Sequence, residues 1–246
     1  LEKCSHTLDH LFVQGLPDHE AASALFQVVM ILATYQKMFR FTHNDLHTNN
    51  IMYVETDAPF LYYTYQGMHY KLPTYGRIFK LIDYGRSIYK YQKRLFCSDS
   101  FAADGDATSQ YNTEPYLKSS KPRLDPSPSF DLCRLGCSIY DFVFEDNDVV
   151  ANEKAEQTDL QRTIQRWCTD DQGRNVLYKK NGQERYPGFR LYKMIARTVK
   201  AHTPDAQLND PWFSQFRVVE EPSAADAQCQ TMETIYMNID LYPEYA

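Results

Sequence analysis

Residues 43–50 read HNDLHTNN and residues 79–87 read FKLIDYGRS, which places Asp83 33 positions after Asn50. Asp45 and Asn50 stand five positions apart, and Asp83 precedes a Tyr-Gly pair, so two short polar clusters supply a set of hard oxygen donors. Phosphoryl transfer needs such a set. A nucleoside triphosphate is handled with Mg²⁺, which takes oxygen ligands in octahedral geometry. A carboxylate must face the attacking hydroxyl and accept its proton; the rest of the protein's task is positioning and charge neutralisation. In this pattern Asp45 is the candidate base, and Asn50 and Asp83 are the candidate metal ligands. Gly85 is expected to let the backbone turn sharply past Asp83.

Those side chains must be aimed by the elements around them. Residues 20–39 place Leu25, Val28, Leu32, Tyr35 and Phe39 at helical spacing. They predict a helix with one strongly apolar face, N-capped by Asp18, that ends where the HNDLHTNN loop begins. IMYV after the loop reads as a short strand, FLYYTYQGMHYKLP as a hairpin turning at Gln66–Gly67, and RIFKLID as a strand delivering Asp83 to its end. Both polar clusters therefore fall on loops at strand boundaries, where a scaffold can aim side chains into a cleft. Residues 86–130, rich in Ser, Asp, Gly and Pro, read as one long functional or mobile loop. DLCRLGCSIYDFVF from 131 predicts a deeply buried helix. Further helices are expected over 153–169 and around Phe189–Val199. The acidic segment after 216 reads as an extended arm or docking segment rather than core. The division is 1–215 for the main domain and 216–246 for the arm. The fold class is α+β, mainly helical, without the βαβ alternation of a parallel sheet.

Composition narrows the function classes. The chain has 246 residues, 43% of them hydrophobic, with 19 Tyr and 14 Phe, enough for a sizeable core. A net charge of −6 with no basic run argues against nucleic acid as a partner. No signal peptide is read, and no apolar stretch is expected to approach the roughly 20 residues that span a bilayer. The six cysteines, at 4, 97, 133, 137, 168 and 229, form no CxxC pair and have no His cluster beside them, which supports no zinc site. Cys133 and Cys137, one helical turn apart, are expected on a buried helix face in a reducing, cytoplasmic compartment. The opening LEKCSHTLDHLF, which lacks a Met, reads as the interior of a longer product.

HNDLHTNN resembles the catalytic loop of the protein-kinase-like superfamily, HRDLxxxN, and IDYG resembles its DFG metal-binding turn. FDLCRLG resembles the start of the buried central helix of the kinase large lobe, LEKCSHTLDHLF the hinge and the helix after it, and NDPWF the last-helix region. The resemblance covers most of residues 1–215 in the right order. FTHNDLHTNNIMY together with YGRIFKLIDYGRSIY is also similar to kinase-like proteins of large DNA viruses, which would place the chain in host cytoplasm or a virion. The resemblance implies ATP and Mg²⁺ as cofactors and a protein substrate. It implies Asp45 as base, Asn50 and Asp83 as metal ligands, Gly85 as the turn glycine, His43 as a brace of the loop and Asp131 as the buried cap of its backbone.

There are departures. Asn44 replaces an Arg that reads a phosphorylated activation loop. His47 stands where a Lys approaches the γ-phosphate, as a candidate catalytic residue or a loop support. No APE motif is present; TEPYL at 113–117 is a faint substitute. The small lobe's Gly-rich loop and Lys–Glu pair are missing, so the chain resembles the large lobe alone. That would expose an apolar cleft roof which, with hairpin 60–75 and the tail, offers surfaces for a protein partner. Three readings stay open: a Ser/Thr protein kinase, a catalytically inactive scaffold or virion protein, and a small-molecule kinase of the aminoglycoside or choline type, favoured by His47.

Overall fold

The computed structural model describes residues 3–144, 157–219 and 235–246. The chain begins β1 (His6–Thr7), α1 (Leu8–Val13), α2 (Asp18–Phe39), β2 (Ile51–Glu55), β3 (Phe60–Tyr65), β4 (Met68–Pro73) and β5 (Arg77–Leu81). It continues β6 (Ile88–Tyr91), β7 (Arg94–Cys97), α3 (Phe130–Val143), α4 (Asp159–Trp167) and α5 (Arg190–Thr198). Two short helices, α6 (Pro204–Gln207) and α7 (Pro211–Ser214), precede β8 (Arg217–Val218) and β9 (Ile235–Asn238). The class is α+β. Residues 153–156 of the helix read at 153–169 lie outside the described residues; its remainder forms α4.

α2 is the spine. Its Ala, Val, Leu and Phe side chains between Ala21 and Ala33 are buried in the main core. Asp18 is not the cap: Pro17 holds that position without a side-chain hydrogen bond, and Asp18 lies in the first turn, where its charge suits the helix dipole. Arg40, left-handed at φ 50°, ends the helix and turns the chain into the polar loop. Against the sequence expectation, α2 is by length and composition able to cross a membrane; 61% of its apolar window is buried inside the protein.

β1, β2 and β5 form one antiparallel sheet, with Ile51 opposite Leu81, so the two polar clusters leave the same end of one strand pair. β3 and β4 form the expected hairpin. Gln66 (φ 52°) and Gly67 (φ 69°) both take positive φ, as a two-residue turn matched to strand twist requires. Tyr63 and Tyr70 from this hairpin pack against Phe26 of α2.

Two segments depart from the sequence reading. Residues 88–97, expected as loop, form the β6–β7 hairpin. Their turn uses left-handed Gln92 and Lys93 rather than Gly or Asn, so no turn signal was visible. The tail docks by strand pairing: β8 adds to β4, and β9 pairs in parallel with β3. Ile239 enters the core, and the Asp240 carboxylate accepts the backbone N–H groups of Gln66 and Gly67 at 2.7 and 2.8 Å.

α3 packs on α4 through Gly136. A Cβ built there would meet Trp167 Cβ at 2.9 Å and Cys168 Sγ at 3.2 Å, so only glycine allows this approach. Cys133, Cys137 and Cys168 are buried and free, as expected of the first two. Gly136→Ala should lower the unfolding free energy by about 1–3 kcal/mol. Urea denaturation checks this, and an unchanged midpoint would show that α3 and α4 separate at no cost.

Candidate active site

The loop between α2 and β2 is held by one buried carboxylate. Asp131, in the first turn of α3, is fully buried. Its Oδ2 accepts the His43 N–H at 2.8 Å and its Oδ1 the Asn44 N–H at 2.9 Å. Burial pushes the carboxyl's pKa above the usual range; the neighbouring His43 and the two backbone N–H groups pull it back. Asn44 is left-handed at φ 68°, a conformation Asn tolerates better than most residues. Its side chain is fully engaged as well: Nδ2 donates to the Thr42 and Arg86 carbonyls, and Oδ1 accepts the Tyr111 hydroxyl at 2.7 Å.

His43 joins the two clusters. Its Nδ1 accepts the Asp45 N–H at 3.3 Å, which leaves Nε2 to donate to the Ile82 carbonyl at 2.9 Å. The Ile82 N–H in turn donates to the Asn50 carbonyl at 3.0 Å, and Thr42 and Ile88 exchange a pair of backbone bonds. Asp83 is thereby brought beside the Asp45–Asn50 loop.

The Asn50 Nδ2 donates to the Asp45 carbonyl at 3.0 Å, which fixes the amide and leaves its oxygen for another partner. Asp83 is exposed and left-handed (φ 59°), and among the described residues its Oδ1 accepts only the Gly85 N–H, at 3.3 Å. The sharp turn is therefore made by Asp83 itself, not by Gly85 as expected. Gly85 sits in the 3₁₀ turn Tyr84–Arg86, where an added Cβ would lie 3.1 Å from the Asp83 carboxylate oxygen. Its role is to let that carboxylate approach the backbone.

The Asp45 carboxylate has two partners that the sequence reading missed. The Tyr192 hydroxyl of α5 donates to Oδ1 at 2.6 Å, and the Arg86 guanidinium lies 3.3 Å from Oδ2. The Arg134 Nε donates to the same tyrosine oxygen at 2.8 Å. Burial raises the Tyr192 pKa, so it stays protonated as the donor. Arg86 follows Gly85 in DYGRS and had a local signal. Tyr192, 147 positions from Asp45, had none.

His47 is half-buried beside Asp45. Burial first, then the Arg134 charge, lowers its pKa below 6.5, so the ring is neutral at pH 7. Thr48 fastens the far end of the loop: its hydroxyl donates to Asp9 at 2.6 Å and its N–H to Ser138 at 3.1 Å.

The donor set suits Mg²⁺, which commonly takes one or two protein oxygens and completes its shell with phosphate oxygens and water. The Asn50 amide oxygen, which has no hydrogen-bond partner among the described residues, and the second Asp83 oxygen are hard donors of that type. Among the described residues no group of three or more His, Cys, Asp or Glu side chains could hold a metal by itself. No protein-family model matches the chain.

The charges around His47 set a sign that can be measured. By NMR titration, its ring should protonate below 6.5; Arg134→Gln should raise that pKa and Asp45→Asn should lower it further. The unfolded chain takes up this proton near 6.5 and the folded chain at lower pH. The stability owed to neutral His47 is thus present above 6.5 and lost as pH falls through the folded value. A His47 titrating at or above 6.5 would contradict this electrostatic account.

Proposed function

We propose that the chain is the large lobe of a protein-kinase-like phosphotransferase that moves the γ-phosphate of ATP to a protein Ser or Thr hydroxyl. The observation that carries the reading is the convergence of Asp45, Asn50 and Asp83. They lie in the two loops that Asp131 and His43 tie together.

In this reading Asp45 orients the acceptor hydroxyl and takes its proton as the bond to phosphorus forms. Tyr192 and Arg86 fix the carboxylate's orientation. An acceptor hydroxyl would approach the Asp45 lone pairs that these two groups leave free, or displace Arg86 from its longer contact. Asn50 and Asp83 would hold Mg²⁺ against the triphosphate, where it supplies charge neutralisation of the phosphates. Neutral His47 offers a hydrogen bond to a phosphate oxygen rather than a full charge. Long sequence-distant supports such as Tyr192 leave little reorganisation to the reacting groups.

A second reading, a kinase-like scaffold without turnover, draws on one observation: both Asp45 carboxylate oxygens are already engaged. Transfer of labelled phosphate from ATP with Mg²⁺ to a mixed protein substrate, using the natural-length protein, separates the two. Asp83→Ala should remove nearly all transfer. Asp45→Ala should lower it about 10²- to 10⁴-fold with nucleotide affinity nearly intact, measured in parallel by equilibrium binding. Full turnover in Asp83→Ala would sink the assignment, and loss of nucleotide binding in Asp45→Ala would make Asp45 structural. No transfer and no nucleotide binding in the unaltered protein would favour the scaffold.

A further inference from the structure

A cavity of about 320 Å³ opens between the segment after β7 and the C-terminal half of α5. Lys118, Lys121, Arg123 and Arg197 line it, and no Asp or Glu does, although the chain as a whole carries a charge of −6. Arg123 is neutralised by Asp125 at 2.7 Å. The other three cations have no carboxylate partner among the described residues. Arg197 donates to the carbonyls of Ser109, Gln110 and Lys193, contacts that fix the guanidinium without cancelling its charge. Lys118 and Lys121 are exposed, and their ammonium groups have no hydrogen-bond or ion-pair partner among the described residues.

The cavity wall is held in place. Buried Asn112 donates through Nδ2 to the carbonyls of Lys118, Lys121 and Pro122, at 3.1, 3.0 and 2.9 Å. It also accepts the Lys118 N–H at 2.9 Å. One side chain thus frames the loop that presents both lysines. Thr108 and Ser109 also line the cavity, and Tyr111 and Tyr116 add aromatic surface to its wall.

Two connections place this cavity beside the candidate base. The hydroxyl of its wall residue Tyr111 donates to Asn44, the neighbour of Asp45. Arg197 lies on α5, the helix whose Tyr192 donates to Asp45 itself. The cavity wall and the candidate base thus share Asn44's hydrogen-bond partner Tyr111 and the helix α5.

We propose that the cavity binds a phosphorylated side chain of the acceptor polypeptide, so that the preferred substrate already carries one phosphate near the hydroxyl to be modified. A phosphate monoester brings close to two negative charges and three acceptor oxygens, which suits the three cations that have no carboxylate partner among the described residues. The naming of the ligand as substrate rests on the phosphotransferase reading; the cavity's affinity for the phosphorylated chain does not.

The test measures fluorescence anisotropy of a labelled peptide holding one phosphoserine and of its unphosphorylated twin. Transfer of phosphate from ATP to a second Ser in each is followed in parallel. The phosphopeptide should bind about ten-fold tighter or better. Lys118→Glu/Lys121→Glu, two exposed changes away from the base and metal ligands, should abolish that preference with unchanged thermal stability. Equal binding of the twins, or a preference that survives the double substitution, would overturn the proposal. So would inorganic phosphate competing as well as the phosphopeptide, which would assign the cavity to a free anion. A substitution-sensitive preference in a natural-length protein that neither transfers phosphate nor binds nucleotide would uphold the cavity as a phosphopeptide site and defeat the phosphotransferase reading. Equal binding with transfer to both would do the reverse.

Discussion

The site depends on a carboxylate placed where carboxylates are costly. Asp131 is buried in the core at the start of α3, and burial alone favours its neutral form. What makes the position tolerable is that both oxygens are met by backbone N–H groups, from His43 and Asn44, and that the carboxylate stands at a helix N-terminus. Those two amides belong to a loop with no ladder of its own. Each needs a partner once buried, since a lost one costs about 1–3 kcal/mol. Core charge and loop backbone satisfy each other, and the left-handed Asn44 follows from that fit.

The rest of the site is built outward from this clamp. With residues 43 and 44 fixed, Asp45 projects toward α5, and Asn50 returns to bond the Asp45 carbonyl. His43 carries the constraint to the second cluster through Ile82. The Asp45 carboxylate is then shared between a tyrosine hydroxyl and a guanidinium. Arg134 supports that tyrosine and also helps hold His47 neutral. One helix, α5, serves both the carboxylate and, five residues further on, the cationic cavity. The two features therefore share one rigid element.

What was legible in the sequence was what local pattern encodes. The α2 helix, the Gln66–Gly67 turn and the buried α3 were read correctly because period and turn chemistry are short-range signals, although α2 is buried on every side from Ala21 to Met30 rather than on one face. Asp131, Asn50 and Asp83 were singled out through motif order, and the hydrogen bonds of Asp131 and His43 bring their loops together. The misses share one cause. The β6–β7 hairpin turns on Gln92 and Lys93, which carry no turn signature. The tail reads as lying outside the core because its strands gain their apolar and hydrogen-bonding partners only from β3 and β4, far away in sequence. Tyr192 and Arg134 reach Asp45 and His47 only through packing of distant helices. Gly85 was assigned the sharp turn, whereas Asp83 itself makes that turn and Gly85 makes room for its carboxylate.

The most direct test of the clamp is residue-resolved amide hydrogen exchange at His43 and Asn44, in the unaltered chain and in Asp131→Asn. An asparagine offers one acceptor oxygen and turns an N–H₂ group toward the other donor. The clamp account predicts that both amides exchange as slowly as those of α2 in the unaltered chain. In Asp131→Asn at least one should exchange about ten-fold faster or more while α2 keeps its protection. Amides that already exchange freely in the unaltered chain, or that stay equally protected in Asp131→Asn, would contradict it.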